Sequence, residues 1–156
     1  MRFWDSSALL PLLVKSTASP RLESLWKRDP EVVLWWGAPV DCEEALAEAS
    51  RRGGLQEKDR HSAQALLDRL RNSAFEIQPQ EEIRSRALRL LALHALSASQ
   101  AFELAAALVW CRERTRGMSF VSLAGPLRDA ATREGFRVLP YTDQIHEDPD
   151  EGAGAL

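Results

Sequence analysis

The chain has 156 residues, of which 45% are hydrophobic and 28% charged, a composition typical of one soluble globular domain. No apolar run approaches the roughly 18 residues of a membrane span, and Asp5 interrupts the N-terminus too early for a signal peptide, so we expect a cytoplasmic protein without membrane contact. The net charge of −3 argues against a strongly basic surface but leaves RNA binding open, because residues 142–156 carry five of the 23 acidic residues and none of the 20 basic ones.

Short apolar runs alternate with longer stretches of helical periodicity along the chain. In chain order the pattern predicts a strand at 1–4, helices at 6–14 and from Ser19 onward, a strand at 32–37, helices at 39–52 and 57–72, a strand at 75–77, helices at 81–95 and 97–114, a strand at 119–123, a helix at 126–134 and a strand at 136–139. This alternation predicts an α/β fold with three α/β/α layers and a mostly parallel central sheet. We assign residues 1–141 to one domain and expect the acidic residues 142–156 to form a disordered tail.

Carboxylates near the ends of the predicted strands are candidates for a functional site, because ligands of parallel sheets bind beyond the carboxyl ends of the strands. Asp5 directly follows the first strand, and Asp41 lies near the start of the helix after the second strand. Each residue also has a simpler interpretation. Asp5 could cap the next helix, and Asp41 could complement the dipole of its own helix.

Glu103 is the only ionisable side chain between Ser97 and Trp110, in a segment that is otherwise mostly apolar. A lone acid on such a helix is seldom buried without a partner or a cation. Alternatively, Glu103 and Gln100, which lies one turn earlier, form a narrow polar stripe that faces solvent. The sequence leaves both arrangements open.

The cysteines and tryptophans are interpreted as packing residues. Cys42 and Cys111 lack the spacing of metal ligands and are expected to be reduced residues of the core. Trp35, Trp36 and Trp110 fall on apolar segments, so we expect them to pack in the core and not to serve as stacking platforms for bases.

Four segments match, in order, the motifs of one protein family. Residues 5–9 resemble the D-T-S-A-L opening of PIN domains, and residues 33–42 resemble their W-W-x-T-P-V-E-C segment. Residues 98–108 resemble the helix A-A-D-A-L-x-L-A-A-A-L, and residues 120–136 resemble F-V-T-x-D-x-x-L with its A-A-x-x-x-G-F ending. Over roughly residues 1 to 140, the chain therefore resembles PIN-domain proteins of the VapC toxin type.

The resemblance implies a divalent-metal-dependent endoribonuclease that cleaves single-stranded RNA. PIN domains place about four acids around Mg²⁺ or Mn²⁺, and such ions are held by oxygen ligands. By resemblance Asp5 and Asp41 match the first two acids, whereas the neutral Gln100 and Ala124 stand at the third and fourth positions. We therefore expect a degenerate site with a single, weakly bound Mg²⁺ or Mn²⁺ ion, and Glu103 is the candidate substitute acid.

The expected ligands of this ion are Asp5 and Asp41, completed by Gln100 or Glu103, and the expected catalytic residues are Asp5, Asp41 and Glu103. The hydroxyl groups of Ser7 and Ser122 are expected to position water or phosphate.

Other groups and partners are less closely specified by the sequence. Lys15, Arg51 and Arg52 are candidate contacts to the RNA backbone, although solvated surface charge explains them more simply. By resemblance we expect a homodimer and a cognate antitoxin.

Two alternatives stay open beside the nuclease. The first is a catalytically inactive PIN-like protein that binds RNA or a protein partner through the same cleft. The second is an unrelated α/β enzyme that uses Asp5, such as an aspartyl phosphatase, although Ser7 stands where that chemistry needs a second Asp.

Overall fold

A five-stranded sheet runs through the centre of the fold. The computed structural model describes residues 1–141. Its strands are β1 (Arg2–Trp4), β2 (Val32–Trp35), β3 (Phe75–Ile77), β4 (Ser119–Val121) and β5 (Arg137–Leu139). Neighbouring strands are all parallel, in the order β3-β2-β1-β4-β5. The first strand of the chain is therefore the central strand of the sheet.

Seven helices accompany the sheet within residues 1–141, and the predicted three-layer α/β/α fold is confirmed. They are α1 (Ser6–Leu13), α2 (Ser19–Arg28), α3 (Ala38–Arg51), α4 (Glu57–Ser73), α5 (Glu81–Leu93), α6 (Ala98–Trp110) and α7 (Gly125–Arg133). None of these helices is long and apolar enough to cross a membrane. The predicted tail at 142–156 lies outside the described residues.

Each predicted element is present, but several end earlier than the sequence suggested. Helix α6 ends at Trp110, whereas the apolar pattern extended it to Arg114. The cause is a left-handed turn, since Arg112 and Glu113 adopt φ angles of 52° and 61°, a conformation that a right-handed helix cannot contain. Strand β4 likewise ends at Val121, two residues before its predicted end.

The core forms where the central strands meet the helices. Phe3 and Trp4 of β1 have no exposed surface, and every residue of β2 is buried, as expected for parallel strands covered on both faces. Phe3 stacks on Phe120 of β4 with ring centroids 5.3 Å apart. This packing fixes β1 and β4 side by side, so that the residues that follow them share one edge of the sheet.

Both cysteines are free and buried, as predicted. Two of the three tryptophans on apolar segments also pack as expected, because Trp35 is buried and Trp110 is half-buried. The expectation is wrong for Trp36, whose surface is 50% exposed. Trp36 lies beyond the last residue of β2, where the sheet and its covering helices no longer enclose the chain.

Candidate active site

Asp5 lies at the carboxyl end of β1 and caps helix α1, as one of its two interpretations predicted. Its backbone is extended (φ −83°, ψ 168°), and its carboxylate accepts a hydrogen bond from the Ala8 amide at 2.9 Å. Two hydroxyl groups complete the contacts, with Ser7 Oγ donating to Oδ1 at 2.7 Å and Ser122 Oγ donating to Oδ2 at 2.6 Å. The structure therefore brings together Asp5 and both predicted supporting serines.

The Asp5 carboxyl is 1% exposed, and burial raises its pKa to about 6. The hydrogen bonds from Ser122, Ser7 and Ala8 and the positive charge of Arg128 act in the opposite direction and limit the rise. Desolvation disfavours the charged form of a buried acid, and hydrogen bonds to the carboxylate favour it. Near neutral pH, Asp5 is therefore a mainly ionised group that still lacks most of its hydration.

Glu103 of α6 is also in the interior, with 1% of its surface exposed. Its Oε1 accepts a hydrogen bond from the amide of Ser6, the first residue of α1, at 2.8 Å. Burial, followed by the negative charge of Asp5, raises its pKa well above the usual range. A solvent-facing polar stripe is therefore wrong for Glu103, which faces the same helix N-terminus as Asp5.

Asp41 joins these two acids from the first turn of α3. It is half-buried, and its Oδ2 accepts a hydrogen bond from Ser99 Oγ of α6 at 2.6 Å. Burial raises its pKa, the hydrogen bond from Ser99 lowers it, and the charge of Glu44 raises it further. The charge of Asp41 in turn raises the pKa of Glu103. We call Asp5, Asp41 and Glu103 the acidic cluster.

The cluster also affects the thiol next to Asp41. Burial, followed by the charges of Glu103, Asp41 and Asp5, raises the pKa of Cys42, so this cysteine stays protonated and is a poor nucleophile.

Gln100 is engaged elsewhere in this structure. Its side-chain Oε1 accepts a hydrogen bond from the backbone amide of Ser97 at 3.1 Å, and its backbone amide donates to Ser97 Oγ at 3.2 Å. This reciprocal pair is a capping box at the start of α6. The predicted ligand oxygen therefore satisfies the helix end, and its binding to a metal stays a prediction.

Ala124, at the fourth position of the resemblance, is the N-cap residue of α7 and makes no side-chain cap. Its amide donates to Ser7 Oγ at 3.1 Å and to Ser122 Oγ at 3.2 Å, which places it beside the acidic cluster without adding charge.

Arg128 of α7 is a site residue that sequence reasoning missed. Its Nη1 donates to the carbonyl oxygens of Ser122 at 2.5 Å and Leu139 at 3.2 Å, and its Nη2 donates to that of Pro140 at 2.7 Å. These carbonyls lie at or just after the ends of β4 and β5, and they hold the guanidinium near Asp5. No local sequence signal distinguishes Arg128 from other helix-surface arginines, because its partners come from two separate strands.

The candidate RNA contacts are not brought to the cluster. Lys15 pairs with Glu23 in an exposed ion pair. Arg51 and Arg52 pair with Glu48 near the C-terminal end of α3, whereas Asp41 lies in its first turn. A rise of about 1.5 Å per residue separates the two ends, so surface charge is the better interpretation of all three.

The donor atoms of the acidic cluster are of the kind that a divalent cation prefers, but their arrangement is not that of a complete metal site. Within residues 1–141, no three His, Cys, Asp or Glu side chains are arranged as a metal-binding group. The donors are nevertheless carboxylate and hydroxyl oxygens, which Mg²⁺ and Mn²⁺ prefer, and Mg²⁺ commonly binds through one or two carboxylates with water or phosphate completing its shell. The donor chemistry therefore suits a hydrated ion, although the three acids do not form a ready-made metal site in this structure.

No family model and no curated protein matches the sequence, whereas solved structures share its fold. One is VapC20 from Mycobacterium tuberculosis, described as a toxin that cleaves the sarcin-ricin loop, with a TM-score of 0.61 and 18% identity over 88% of this chain and 97% of that one. Another is FitAcB from Neisseria gonorrhoeae, with a TM-score of 0.62 and 12% identity over 90% and 97%.

A third is a toxin–antitoxin complex from Klebsiella pneumoniae, with a TM-score of 0.53 and 14% identity over 80% of this chain and 87% of that one. At these identities the comparisons establish the architecture, which is a PIN-like α/β/α fold. The chain thus has the fold of VapC-type PIN-domain proteins, as its sequence resemblance predicted.

Proposed function

We propose that this protein, of the VapC toxin type, is a divalent-metal-dependent endoribonuclease that cleaves single-stranded RNA, with activity weakened by its depleted acidic site. The observation that carries the proposal is the burial of Glu103 beside Asp5 and Asp41. Although Gln100 is neutral, α6 still supplies a carboxylate to the cluster from the position one turn further along.

The energetics of the cluster favour cation binding. Two carboxyls that are each 1% exposed and repel one another are costly to ionise. A cation can relieve this repulsion. In its absence, burial and the charge of Asp5 raise the pKa of Glu103 well above the usual range and so favour its protonated form.

We propose that Asp5, Asp41 and Glu103 hold one Mg²⁺ or Mn²⁺ ion, and that Gln100 is a weaker neutral ligand when released from the helix cap. Such an ion, when bound, activates water and neutralises charge on a phosphate.

The chain's own hydroxyl groups orient the site. Ser7 Oγ donates to Asp5 and accepts from the amides of Leu123 at 2.9 Å and Ala124 at 3.1 Å. Ser122 Oγ donates to Asp5 from the other side. These bonds fix the carboxylate between α1 and α7, and we propose that the two serines also position the water or phosphate.

The proposed partners follow from the structural neighbours. VapC20 is described as a toxin that cleaves the sarcin-ricin loop, and the Klebsiella structure is a toxin–antitoxin complex. We propose RNA as the substrate and a cognate antitoxin as the inhibitor. The resemblance of the sequence to VapC-type proteins, and not the neighbours, leads us to propose a homodimer as well.

One alternative has its own structural support, namely a catalytically inactive PIN-like protein that binds RNA or a protein partner. Both oxygens of Asp5 already accept hydrogen bonds from within the protein. Gln100 is committed to the cap of α6, and Ala124 supplies no carboxylate. An apoprotein stabilised in this way does not require an ion for folding.

The two functions are separated by incubating the protein with mixed single-stranded RNA in Mg²⁺, in Mn²⁺ or in EDTA. We expect metal-dependent cleavage that Asp5→Asn and Glu103→Gln abolish. Glu44→Gln is the matched control, because it removes the same charge from the exposed surface next to Asp41. Cleavage that persists in EDTA would contradict metal dependence, cleavage that persists in Asp5→Asn would contradict the role of Asp5, and no cleavage with any metal favours the inactive alternative.

A further inference from the structure

Trp36 exposes half of its surface at the edge of the sheet where the acidic cluster lies. The register between β1 and β2 pairs Phe3 with Val33. Asp5 directly follows the last residue of β1, and Trp36 directly follows the last residue of β2. Because these two strands are parallel neighbours in the sheet, Trp36 and Asp5 lie at the same edge of the sheet, beyond the carboxyl ends of adjacent strands.

An aromatic row holds the Trp36 ring at this position. The ring meets that of Trp35 edge-on, with centroids 6.4 Å apart and an interplanar angle of 72°. Trp35 in turn stacks on Phe102 of α6, with centroids 5.8 Å apart and an angle of 7°. Phe102 immediately precedes Glu103, so the same helix supports both the ring system and the acidic cluster.

We propose that Trp36 is the stacking platform for one base of single-stranded RNA, adjacent to the phosphate that the acidic cluster acts on. This inference rests on the proposed function and extends it to substrate positioning. Unpaired bases expose their aromatic faces, and stacking on a protein ring contributes to single-strand binding with only a modest base preference, which comes from differences in stacking strength. An exposed ring beside a phosphate-directed site suits that ligand.

The charge of the molecule increases the need for such a contact. Residues 1–141 carry 20 basic and 18 acidic side chains, and several of these arginines are engaged in ion pairs, among them Arg51, Arg52, Arg84 and Arg89. Proteins that bind single strands usually combine stacking with a positively charged groove. Here stacking has to supply a larger share of the affinity.

The test measures binding of fluorescein-labelled oligoribonucleotides of about ten nucleotides, all adenine or all uracil, in EDTA so that metal-dependent cleavage cannot intervene. Loss of a stacked base weakens binding about 5- to 150-fold, and we expect this loss for both Trp36→Ala and Trp36→Leu. Trp36→Phe keeps a ring and should stay within about threefold of the parent. The adenine oligomer should bind the parent more tightly than the uracil oligomer, and this preference should vanish in Trp36→Leu.

Trp26→Ala is the matched control, because Trp26 is also a partly exposed tryptophan (37%) but lies on α2, in a groove lined by Leu12, Leu66 and Leu70. Thermal unfolding of each variant excludes misfolding as the cause. Unchanged affinity in Trp36→Leu overturns the inference, and so does a parent that binds neither oligomer. Metal-dependent cleavage is scored separately, so a failed platform and a failed nuclease give different results.

Discussion

Asp5 has three donors from the protein but almost no contact with water. Burial raises its pKa to about 6 from an ordinary value of 3.8, so the folded protein binds a proton at a pH where the unfolded chain has released it. The stability that this proton contributes is full below about pH 4 and is lost as the pH rises through about 6. A difference of this size corresponds to about 3 kcal/mol.

We therefore predict that in EDTA the free energy of unfolding contains a component that falls between about pH 4 and pH 7. Asp5→Asn removes the titrating carboxyl and should flatten this part of the profile. Saturating Mg²⁺ should also flatten it in the parent, because the ion stabilises the ionised form. Urea unfolding at a series of pH values measures all three curves.

Other acids, such as Glu43 and Glu48, have lowered pKa values. The stability that these acids contribute to the folded protein is lost as the pH falls, in the direction opposite to that of Asp5. The difference between the parent and Asp5→Asn separates Asp5 from these acids, and it also contains the change at Glu103, whose raised pKa depends in part on the charge of Asp5. Parallel profiles for the two proteins would show that burial does not raise the pKa of Asp5 in the folded protein.

The site residues differ in how far sequence could predict them. Asp5 directly follows a strand and Asp41 lies near the start of the helix after the second strand, which made them candidates, and the family resemblance assigned them to the first two acids. Glu103 was ambiguous, because a lone acid on an apolar helix can face either way until the neighbouring elements are placed. Arg128 could not be identified from the sequence, because its place in the site depends on hydrogen bonds to carbonyl groups at the ends of β4 and β5. Helix caps and strand ends are specified by neighbouring residues in the sequence, whereas the contacts of Arg128 form only when distant segments pack together.

At the level of elements, the apolar periodicity predicted the helices and strands but not all of their ends. Helix α5 ends at Leu93 although the pattern continues to Ala95, because His94 adopts an extended backbone (φ −132°, ψ 147°). A hydrophobic pattern records which face is buried, and it continues through residues that pack against the core without being helical.

Helix α7 offers a test of the depleted site. Its N-cap residue is Ala124, whose backbone is extended (φ −78°, ψ 110°) and whose side chain caps nothing. Asp at this position can accept from the Leu127 amide, a contact that typically contributes about 1 kcal/mol, and it adds a carboxylate beside Ser7 and Ser122. We predict that Ala124→Asp tightens binding of Mn²⁺ by at least about tenfold, because added ligand charge raises affinity.

Ala124→Asn separates the two effects, since Asn caps a helix about as well as Asp but carries no charge. Both variants should unfold at higher urea concentrations in EDTA, with a smaller gain for Asp because Asp5 repels it. Calorimetric titration with Mn²⁺ should distinguish them. Equal metal affinity in the two variants would contradict a cation site at the acidic cluster.

For the molecule as a whole, the order of the strands determines which residues meet. Alternation along the chain predicted a parallel sheet, but not that β1 lies between β2 and β4. This order brings Asp5 next to Ser122 on one side and next to the strand that leads to Trp36 and Asp41 on the other. It results from packing between distant segments, such as Phe3 on Phe120, which no local pattern specifies.

The distribution of charge along the chain leads to a final prediction. Ending the chain after Tyr141 removes five acids and no basic residue, which changes the formal net charge from −3 to +2. The five acidic side chains repel the phosphates of RNA over a Debye length of about 10 Å at 0.1 M salt. We therefore predict that the shortened protein binds single-stranded RNA about two- to tenfold more tightly near 0.05 M salt. The gain should disappear near 1 M salt, where the screening length is about 3 Å. A full-length variant with the five acids replaced by Asn or Gln should show the same gain. If only the shortened chain gains affinity, then residues 142–156 obstruct the RNA by their bulk, and charge is not the cause.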